Sequence, residues 1–258
     1  MLTLQARHSG GSVFFANLFY TDFMSQPVLF SMIDKAIFDY KLIQPNDRIL
    51  IGVSGGKDST ALLEYFSQRI KRPNENFMFT AVHVQTEITP PLSEEQKQLF
   101  SKWNIDVVPL EIPVLARLKE SHKMNCWWCS TRRRTELKDY ALANGYNKLA
   151  LGHHLDDVLE TLLMNMLRKG VLSTMPPLMQ YEKFPLTVIR PLYYAGENVI
   201  KQHCEERGYL TTTCTCTYQE NSGRKEARKK VEFLTESNLE TKQRMLDSLR
   251  HIQKQYLP

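Results

Sequence analysis

Six consecutive residues near the start of the sequence have the composition of a phosphate-binding turn. They follow the apolar, β-branched run 48–53 and precede a helix-like stretch that begins at about Thr60. Glycines in such a turn let backbone N–H groups approach an anion, and the dipole of the following helix favours negative charge. The lysine adds a positive charge, and the aspartate suits a hard cation such as Mg²⁺. These residues are Ser54, Gly55, Gly56, Lys57, Asp58 and Ser59.

The order of these residues differs from both common phosphate-binding patterns. The Walker pattern needs four residues between its first glycine and its Gly-Lys pair, and the dinucleotide fingerprint reads GxGxxG. A glycine-rich turn that merely links a strand to a helix is the simpler alternative. The strand before the turn and the helix after it favour a phosphate site instead.

A second polar segment follows another predicted strand, 148–152, and leads into a helix predicted at 156–168. Parallel strands of one sheet end at the same edge, so this segment is expected to lie near the phosphate turn. Taken singly, its first aspartate would suit a helix N-cap and its histidines an ordinary turn. The segment reads Gly152, His153, His154, Leu155, Asp156 and Asp157.

The cysteines indicate a metal or cluster site. Cys126 and Cys129 are separated by two residues, a spacing that lets both thiolates face one centre. Cys204, Cys214 and Cys216 lie more than seventy residues further on, so only the fold can complete such a site. A structural zinc site wants four ligands, whereas a [4Fe–4S] cluster on three cysteines keeps one iron open. A zinc knuckle or an adventitious pair is the alternative.

Repeated strand–helix units position these segments. Strands are predicted at 48–53, 77–84, 105–112, 148–152 and 186–189, and helices at 60–70, 93–103, 132–144 and 156–168. This alternation predicts an α/β protein with a doubly wound parallel sheet and ligands at the carboxyl ends of its strands. The adenine of a nucleotide would then lie near the end of the second strand, at His83, which could equally be a plain strand residue.

Composition sets limits on the class of protein. The 258 residues are 42% hydrophobic and 24% charged, enough for one sizeable core, and the formal charge of +5 is compatible with a polyanionic partner. Five unevenly spaced cysteines do not form a secreted disulfide framework. We find no signal peptide and no apolar run long enough for a membrane helix, so a cytoplasmic protein without membrane contact is expected.

Taken together, these motifs resemble a known enzyme family. The turn at 54–59 is similar to the PP-loop of the ATP pyrophosphatases, and Gly152–Asp157 looks like the second hallmark of their tRNA-modifying members. With Cys126-x-x-Cys129, Ile189-Arg190-Pro191-Leu192 and a late cysteine, residues 30–230 resemble the tRNA-cytidine 2-sulfurtransferase (TtcA) family. Apolar spacing before residue 46 and the change to charged, helix-favouring residues after Ser222 divide the chain into a helical lead-in (1–46), a PP-loop domain (47–221) and a basic helical appendage (222–258).

The resemblance implies an ATP-dependent tRNA sulfurtransferase. Such an enzyme replaces the 2-oxygen of a cytidine at position 32 of the anticodon loop with sulfur, through an adenylated intermediate, using Mg²⁺ and a [4Fe–4S] cluster. It implies that the PP-loop binds ATP together with His83, Gly152, His153, Asp156 and Asp157, and that Asp58, Cys126, Cys129 and a third cysteine are catalytic.

The third cluster cysteine is assigned by spacing within the family pattern. The family commonly has Cys-x-x-Cys in the late position, whereas this chain has Cys214-x-Cys216. Cys216 is the better match, because the family's spacing from it to Gln219, Asn221 and Arg224 is kept. Cys214 stays open as an alternative ligand or as a helper thiol in sulfur delivery. Cys204 resembles a small buried hydrophobe.

The expected partners are tRNA and a sulfur donor, either a cysteine desulfurase or inorganic sulfide, with a homodimer as a further possibility. Arg132, Arg133, Arg134 and Arg224 are the candidate contacts to the RNA backbone, and a solvated helix face is the alternative. Three rival functions stay open: uridine 2-thiolation, lysidine synthesis on a tRNA, and a non-catalytic nucleotide or iron–sulfur sensor that binds RNA.

Overall fold

One six-stranded sheet organises the protein. The computed structural model describes residues 26–116, 118, 126–209 and 223–256, with the backbone alone at Cys126 and Trp127. The sheet order is β3-β2-β1-β4-β6-β5, and all neighbours are parallel except β5 with β6. The strands are β1 (Asp47–Val53), β2 (Phe77–Gln85), β3 (Val107–Glu111), β4 (Lys148–Ala150), β5 (Leu178–Gln180) and β6 (Thr187–Ile189).

Helices connect the strands and cover both faces of the sheet. Side chains alternate between the two faces of a strand, so that Ile49 and Ile51 belong to one apolar cluster and Leu50 to the other. Burial on both faces is what a doubly wound sheet requires, and the predicted fold class is confirmed. The helices are α1 (Val28–Tyr40), α2 (Lys57–Arg69), α3 (Glu94–Lys102), α4 (Cys126–Ala143), α5 (Leu155–Lys169), α6 (Glu197–Glu206), α7 (Gly223–Thr235) and α8 (Leu239–Asp247), with a 3₁₀ turn at Lys254–Tyr256.

Two helices begin earlier than the sequence predicts, and one strand was not predicted. Helix α4 begins at Cys126 rather than at Arg132, so the CxxC motif forms its first turn. Helix α2 begins at Lys57, because the phosphate turn leads straight into the helix. Strand β5 was not predicted, since three residues at a sheet edge give too short a pattern, and it pairs antiparallel with β6.

The C-terminal helices pack on the domain. Helices α7 and α8 contact α5, and Ala227, Val231 and Leu246 are buried there. The basic appendage is therefore helical, as expected, and one side of it covers α5. The division at residues 46/47 and 221/222 stays a prediction. Within the described part of the chain, no helix is long and apolar enough to cross a membrane.

Candidate active site

The two predicted nucleotide motifs meet at the carboxyl edge of the sheet. Strand β4 lies beside β1, with Ala150 opposite Ile51, so the segments that follow these strands are neighbours. Gly152 touches the phosphate turn so closely that a Cβ atom there would lie 3.4 Å from the backbone of both Asp58 and Ser59. The small residue lets the second motif close one wall of the crevice.

The phosphate turn is held in shape by its own hydroxyl groups. Gly55 has a φ of 80°, which favours glycine. The Ser59 hydroxyl accepts from the Ser54 N–H at 3.2 Å and donates to the Gly56 carbonyl at 3.0 Å. The N–H groups of the first residues of α2 have no partner within the helix and are available to an anion.

A glutamine from α3 completes the turn. Buried Gln96 donates from Nε2 to the Gly55 carbonyl at 2.6 Å. Ser93 and Gln96 also form a reciprocal capping box at the start of α3. The sequence analysis missed Gln96, although the Ser-x-x-Gln pattern marks a helix start. Its contact with the turn depends on the packing of distant segments, which that pattern does not show.

Lys57 and Asp58 supply the charges of the turn. The Lys57 ammonium lies 2.9 Å from Glu197 and 3.2 Å from Asp58 Oδ1. Burial alone would lower the pKa of Lys57, but the charges of Asp58 and Glu197 outweigh it and raise the pKa. The Oδ1 atom of Asp58 is buried and accepts no hydrogen bond, so a carboxylate oxygen is available to a hard cation.

His154 lies among three carboxylates. Its Nε2 is 3.5 Å from Asp157 and 4.0 Å from Asp58, and its Nδ1 is 3.7 Å from Asp156. Burial lowers the pKa of His154, but the contact with Asp156 and the charges of Asp157 and Asp58 more than offset it, so the pKa is raised. The three carboxylates therefore favour the imidazolium form of His154.

The raised pKa of His154 predicts a pH-dependent stability. A histidine whose folded pKa exceeds its unfolded value of 6.5 stabilises fully below that value and loses this contribution as the pH rises through the folded pKa. We expect the free energy of unfolding to fall as the pH rises above the unfolded value of 6.5 in the wild type, and to fall less in His154→Gln. Urea unfolding across this range measures both slopes, and equal slopes would contradict the assignment.

A lysine from the C-terminal appendage reaches the same site. Lys242 of α8 is 5% exposed and Asp156 is 6% exposed. Their Nζ and Oδ1 atoms lie 2.5 Å apart, and the other Asp156 oxygen accepts from the Glu197 N–H at 2.7 Å. Burial would raise the pKa of Asp156, but His154, Lys242 and the Glu197 N–H together lower it. Asp156 is thus engaged on both oxygens by protein groups.

The CxxC cysteines occupy the first turn of α4. Cys126 and Cys129 are three residues apart, and positions with this spacing lie on one side of a helix. A helix N-terminus also favours thiolates over thiols. Cys214 and Cys216 lie outside the described residues. Among the described side chains, no three His, Cys, Asp or Glu residues are grouped to hold a metal ion.

Cys204 is a different kind of thiol. It is buried beneath the phosphate turn, with its sulfur 3.7 Å from the Lys57 carbonyl. Burial, together with the charge of Asp58, raises the pKa of Cys204 to about 12. A thiol in this setting stays protonated at neutral pH and is a poor ligand or nucleophile. Its burial agrees with the predicted role as a small apolar residue.

Comparison with known proteins identifies the family. Residues 29–231 match the PP-loop domain family. A tRNA-cytidine(32) 2-sulfurtransferase from Legionella pneumophila (strain Paris) is 34% identical over 229 residues, which cover 84% of this chain and 78% of that protein. This chain belongs to the tRNA-cytidine(32) 2-sulfurtransferase family. The resemblance that the motifs indicated is confirmed.

A further relative has the same name, and one solved structure shares the fold. A relative of the same name from Paraburkholderia xenovorans (strain LB400) is 37% identical over 199 residues, 75% of this chain and 59% of that protein. Among solved structures, the U34-tRNA thiolase NcsA from Methanococcus maripaludis with its [4Fe-4S] cluster has a TM-score of 0.68 at 20% identity. That match covers 89% of this chain and 81% of that chain, which shows a shared fold.

In this member of the 2-sulfurtransferase family, His83 is enclosed by backbone. It lies in β2 opposite Val53 and is 2% exposed. Its Nδ1 is 2.8 Å from the Val53 carbonyl and its Nε2 is 3.3 Å from the Pro90 carbonyl. Burial lowers the pKa of His83, which favours the neutral ring. The side chain ties the end of β1 to the loop after β2, and its contact with ATP stays a prediction.

The arginines of α7 point toward the site. Arg228 donates to Glu160 at 2.7 Å, and the Arg224 guanidinium lies 3.6 Å from Asp157 and 3.5 Å from Glu160, which is fully buried. Arg228 also lies 3.7 Å from Glu197. The basic run after residue 222 therefore partly neutralises buried carboxylates of α5. The predicted RNA contact of Arg224 stays a prediction.

The arginines of α4 follow the CxxC motif closely. Arg132 lies over the Trp128 ring, 5.2 Å from its centroid. Arg134 donates from Nε to the Ser130 carbonyl at 3.2 Å. Because α4 begins at the carboxyl edge of the sheet, these side chains lie on the same side of the molecule as the nucleotide motifs. Their predicted contacts with RNA stay predictions, as do those of Arg133.

Proposed function

We propose that this chain is an ATP-dependent tRNA sulfurtransferase that replaces the 2-oxygen of cytidine 32 with sulfur. The convergence of three motifs at one sheet edge carries the proposal. The phosphate turn follows β1, the Gly152–Asp157 segment follows β4, and the CxxC motif opens α4. Family membership points to the same reaction. The sulfur donor, a homodimer and a cytoplasmic location stay predictions.

The phosphate turn and its neighbours fit ATP with Mg²⁺. The N–H groups at the start of α2 and the Lys57 ammonium would bind the phosphates, and Oδ1 of Asp58, which accepts no hydrogen bond among the described residues, would face the cation. Mg²⁺ would neutralise the charge that builds up on the departing pyrophosphate. Gly152, His153, Asp156 and Asp157 would form the opposite wall of the crevice.

Adenylation solves the chemical problem of this reaction. An amide-like carbonyl oxygen is a poor leaving group. Once AMP is attached to the cytidine 2-oxygen, that oxygen can depart as part of AMP, which is a good leaving group. The turn favours this step because its N–H groups and Lys57 are already aimed at the negative charge that develops on the pyrophosphate. Sulfur then attacks the activated carbon, and AMP departs with the oxygen.

The cysteine set fits a cluster with one open iron. Cys126 and Cys129 would supply two thiolates from one side of the first turn of α4, and Cys216 the third. Arg224 lies eight residues after Cys216. Burial and then the charge of Arg224 lower the pKa of Arg134, so Arg224 lies close to α4. The chain thus returns to the CxxC helix soon after Cys216. A [4Fe–4S] cluster would bind the transferred sulfur at its open iron.

A reconstituted assay tests the proposed function. The anaerobically reconstituted protein is incubated with ATP, Mg²⁺, sulfide and a tRNA transcript that has cytidine at position 32, and with a matched transcript that has uridine there. We expect 2-thiocytidine by mass spectrometry and equimolar pyrophosphate only with the first transcript. Thiouridine from another position, or lysidine when lysine is added, would replace the proposal with a rival. Binding without pyrophosphate release would indicate a sensor.

The cysteine roles are tested by iron content. After anaerobic reconstitution we expect about four irons per chain in the wild type and loss of most of them in Cys126→Ala, Cys129→Ala and Cys216→Ala. Cys214→Ala should keep the iron. Cys204→Ala is the matched control, because Cys204 is buried and protonated. Loss of iron in Cys214→Ala but not in Cys216→Ala would move the third ligand to Cys214, and zinc without iron would contradict the cluster.

A further inference from the structure

Arg190 is a buried cation that forms no ion pair with a carboxylate among the residues that the structure describes. It directly follows β6, is 5% exposed, and donates from Nη1 to the Pro176 carbonyl at 2.6 Å. Among the described residues its buried Nε has no hydrogen-bond partner, and Asp157 is the acid whose charge reaches its guanidinium without forming an ion pair with it. A buried charge is costly unless an opposite charge meets it. Arg190 therefore marks a place where an anion would be stabilised.

His153 lies beside Arg190 with another unsatisfied nitrogen. Strand β4 pairs with β6, and the Leu151 N–H bonds to the Ile189 carbonyl, so the chain just before His153 runs alongside Arg190. His153 Nδ1 is buried and has no hydrogen-bond partner. Burial lowers the pKa of His153, and the charge of Arg190 contributes to the lowering. A neutral imidazole at this position has an unused polar atom for a ligand.

Arg134 reaches the same place from α4. Arg134 lies one turn before Leu137. A Cβ atom on Gly52 would lie 2.9 Å from the Leu137 side chain and 3.3 Å from the Leu151 side chain. This part of α4 therefore packs over the end of β4. No carboxylate of the described residues forms an ion pair with Arg134. Burial, followed by the charge of Arg134, lowers the pKa of Arg190 to about 10. Near Arg190, Arg134 is a second cation and Asp157 is an acid whose charge also reaches Arg190 and His153. With Arg224 nearby as a third cation, positive charge is in excess here and favours a bound anion.

The position of this cluster separates it from the phosphate turn. In the sheet, β4 lies between β1 and β6, so Arg190 follows a strand two positions away from β1, which ends at Val53 just before the phosphate turn. Two strand spacings amount to about 10 Å. The cluster also lies near the N-terminal half of α4, the helix that begins with the CxxC motif. An anion here would lie beside the phosphates of a nucleotide held by the turn and near the sulfur-transfer chemistry.

We propose that Arg190, Arg134 and His153 form a second anion site, which binds a backbone phosphate of the tRNA next to the nucleotide to be modified. This inference rests on the proposed function. Arginine forks match phosphate oxygens, and phosphate contacts fix the register of a nucleic acid without reading its sequence. A phosphate held here would place the adjoining base between the PP-loop and the CxxC helix. Arg190 forms the floor of the site and Arg134 its solvent-facing rim.

Direct binding of a labelled anticodon stem-loop tests the site. We expect Arg134→Gln to weaken binding about 10-fold and to lower the slope of log affinity against log salt by about 1. Arg190→Lys should also weaken binding about 10-fold, but with a nearly unchanged slope, because lysine keeps the charge and loses only the guanidinium fork. ATP affinity should change less than about twofold, because the turn keeps its own charges. Arg48→Gln is the control. Arg48 lies at the amino end of β1, away from the carboxyl ends of the strands, so this variant should leave tRNA affinity unchanged. Arg134→Gln keeps the test valid if Arg190→Lys fails to fold.

A neutral phosphate identifies the source of the anion. Two stem-loops each have a single methylphosphonate, one on either side of cytidine 32. The wild type should bind one of them about 10-fold more weakly than the unmodified stem-loop. Arg134→Gln should bind that stem-loop and the unmodified one with equal affinity. Unchanged tRNA affinity in both variants, or weaker binding of ATP or pyrophosphate instead, would overturn the site. If the wild type binds tRNA but makes no 2-thiocytidine, the proposed function fails, whereas the tRNA affinities of the two variants still test the anion site.

Discussion

Replacement of Lys242 by methionine is expected to destabilise the fold by about 3–5 kcal/mol and to lower ATP–pyrophosphate exchange about 100-fold. The substitution leaves the Asp156 carboxylate buried beside Asp157 without its cation. Asp156 would then turn toward His154, which lies 3.7 Å away, and change the wall that faces the phosphate turn. Urea unfolding gives the stability, and exchange per folded molecule gives the activity.

A second buried ion pair provides a matched control. Lys148 and Asp47 are both buried, and their Nζ and Oδ2 atoms also lie 2.5 Å apart, but they are at the amino ends of β4 and β1. Lys148→Met should lose similar stability and keep its activity per folded molecule. The double variant Lys242→Met/Asp156→Asn should regain stability without regaining exchange. Equal activity losses in Lys242→Met and Lys148→Met would show that Lys242 has only a structural role.

Local patterns were enough to predict the centre of the site. A β-branched run, a glycine-rich turn and a helix are adjacent in the chain, so residues 47–69 could be predicted in order. The meeting of residues 54–59 with 152–157 also followed, because parallel strands end at one edge. Helix α4 was predicted six residues short, since the tryptophans and cysteines of its first turn are weak helix formers.

The supporting residues could not be predicted in the same way. Lys242 is 86 residues from Asp156, and Gln96 is 41 residues from Gly55. A lysine or glutamine on an amphipathic helix usually faces water, and nothing local distinguishes the few that are buried. The same holds for the inward orientation of Arg224, which the sequence predicts on a solvated or RNA-binding face. Long-range packing decides these contacts.

Substitution of Asp58 by asparagine is expected to lower ATP–pyrophosphate exchange by about 10²–10³ while changing the free energy of unfolding by less than about 1 kcal/mol. Asp58 Oδ1 is buried without a hydrogen bond, and its nearest charged atom is the Lys57 ammonium at 3.2 Å. Lys57 keeps Glu197 as a partner at 2.9 Å, so the loss of one carboxylate from this acidic edge costs little stability.

The metal dependence separates a cation ligand from a merely structural carboxylate. If Asp58 faces Mg²⁺, Asp58→Asn should need a higher Mg²⁺ concentration for half-maximal exchange, and Mn²⁺ should restore part of the activity, because Mn²⁺ binds weaker ligands more readily. Asp139→Asn is the control, since Asp139 is exposed on α4 and pairs only with neighbouring Lys138 among the described residues. An unchanged Mg²⁺ requirement with full exchange would assign Asp58 to the support of Lys57, and the cation would then need other ligands.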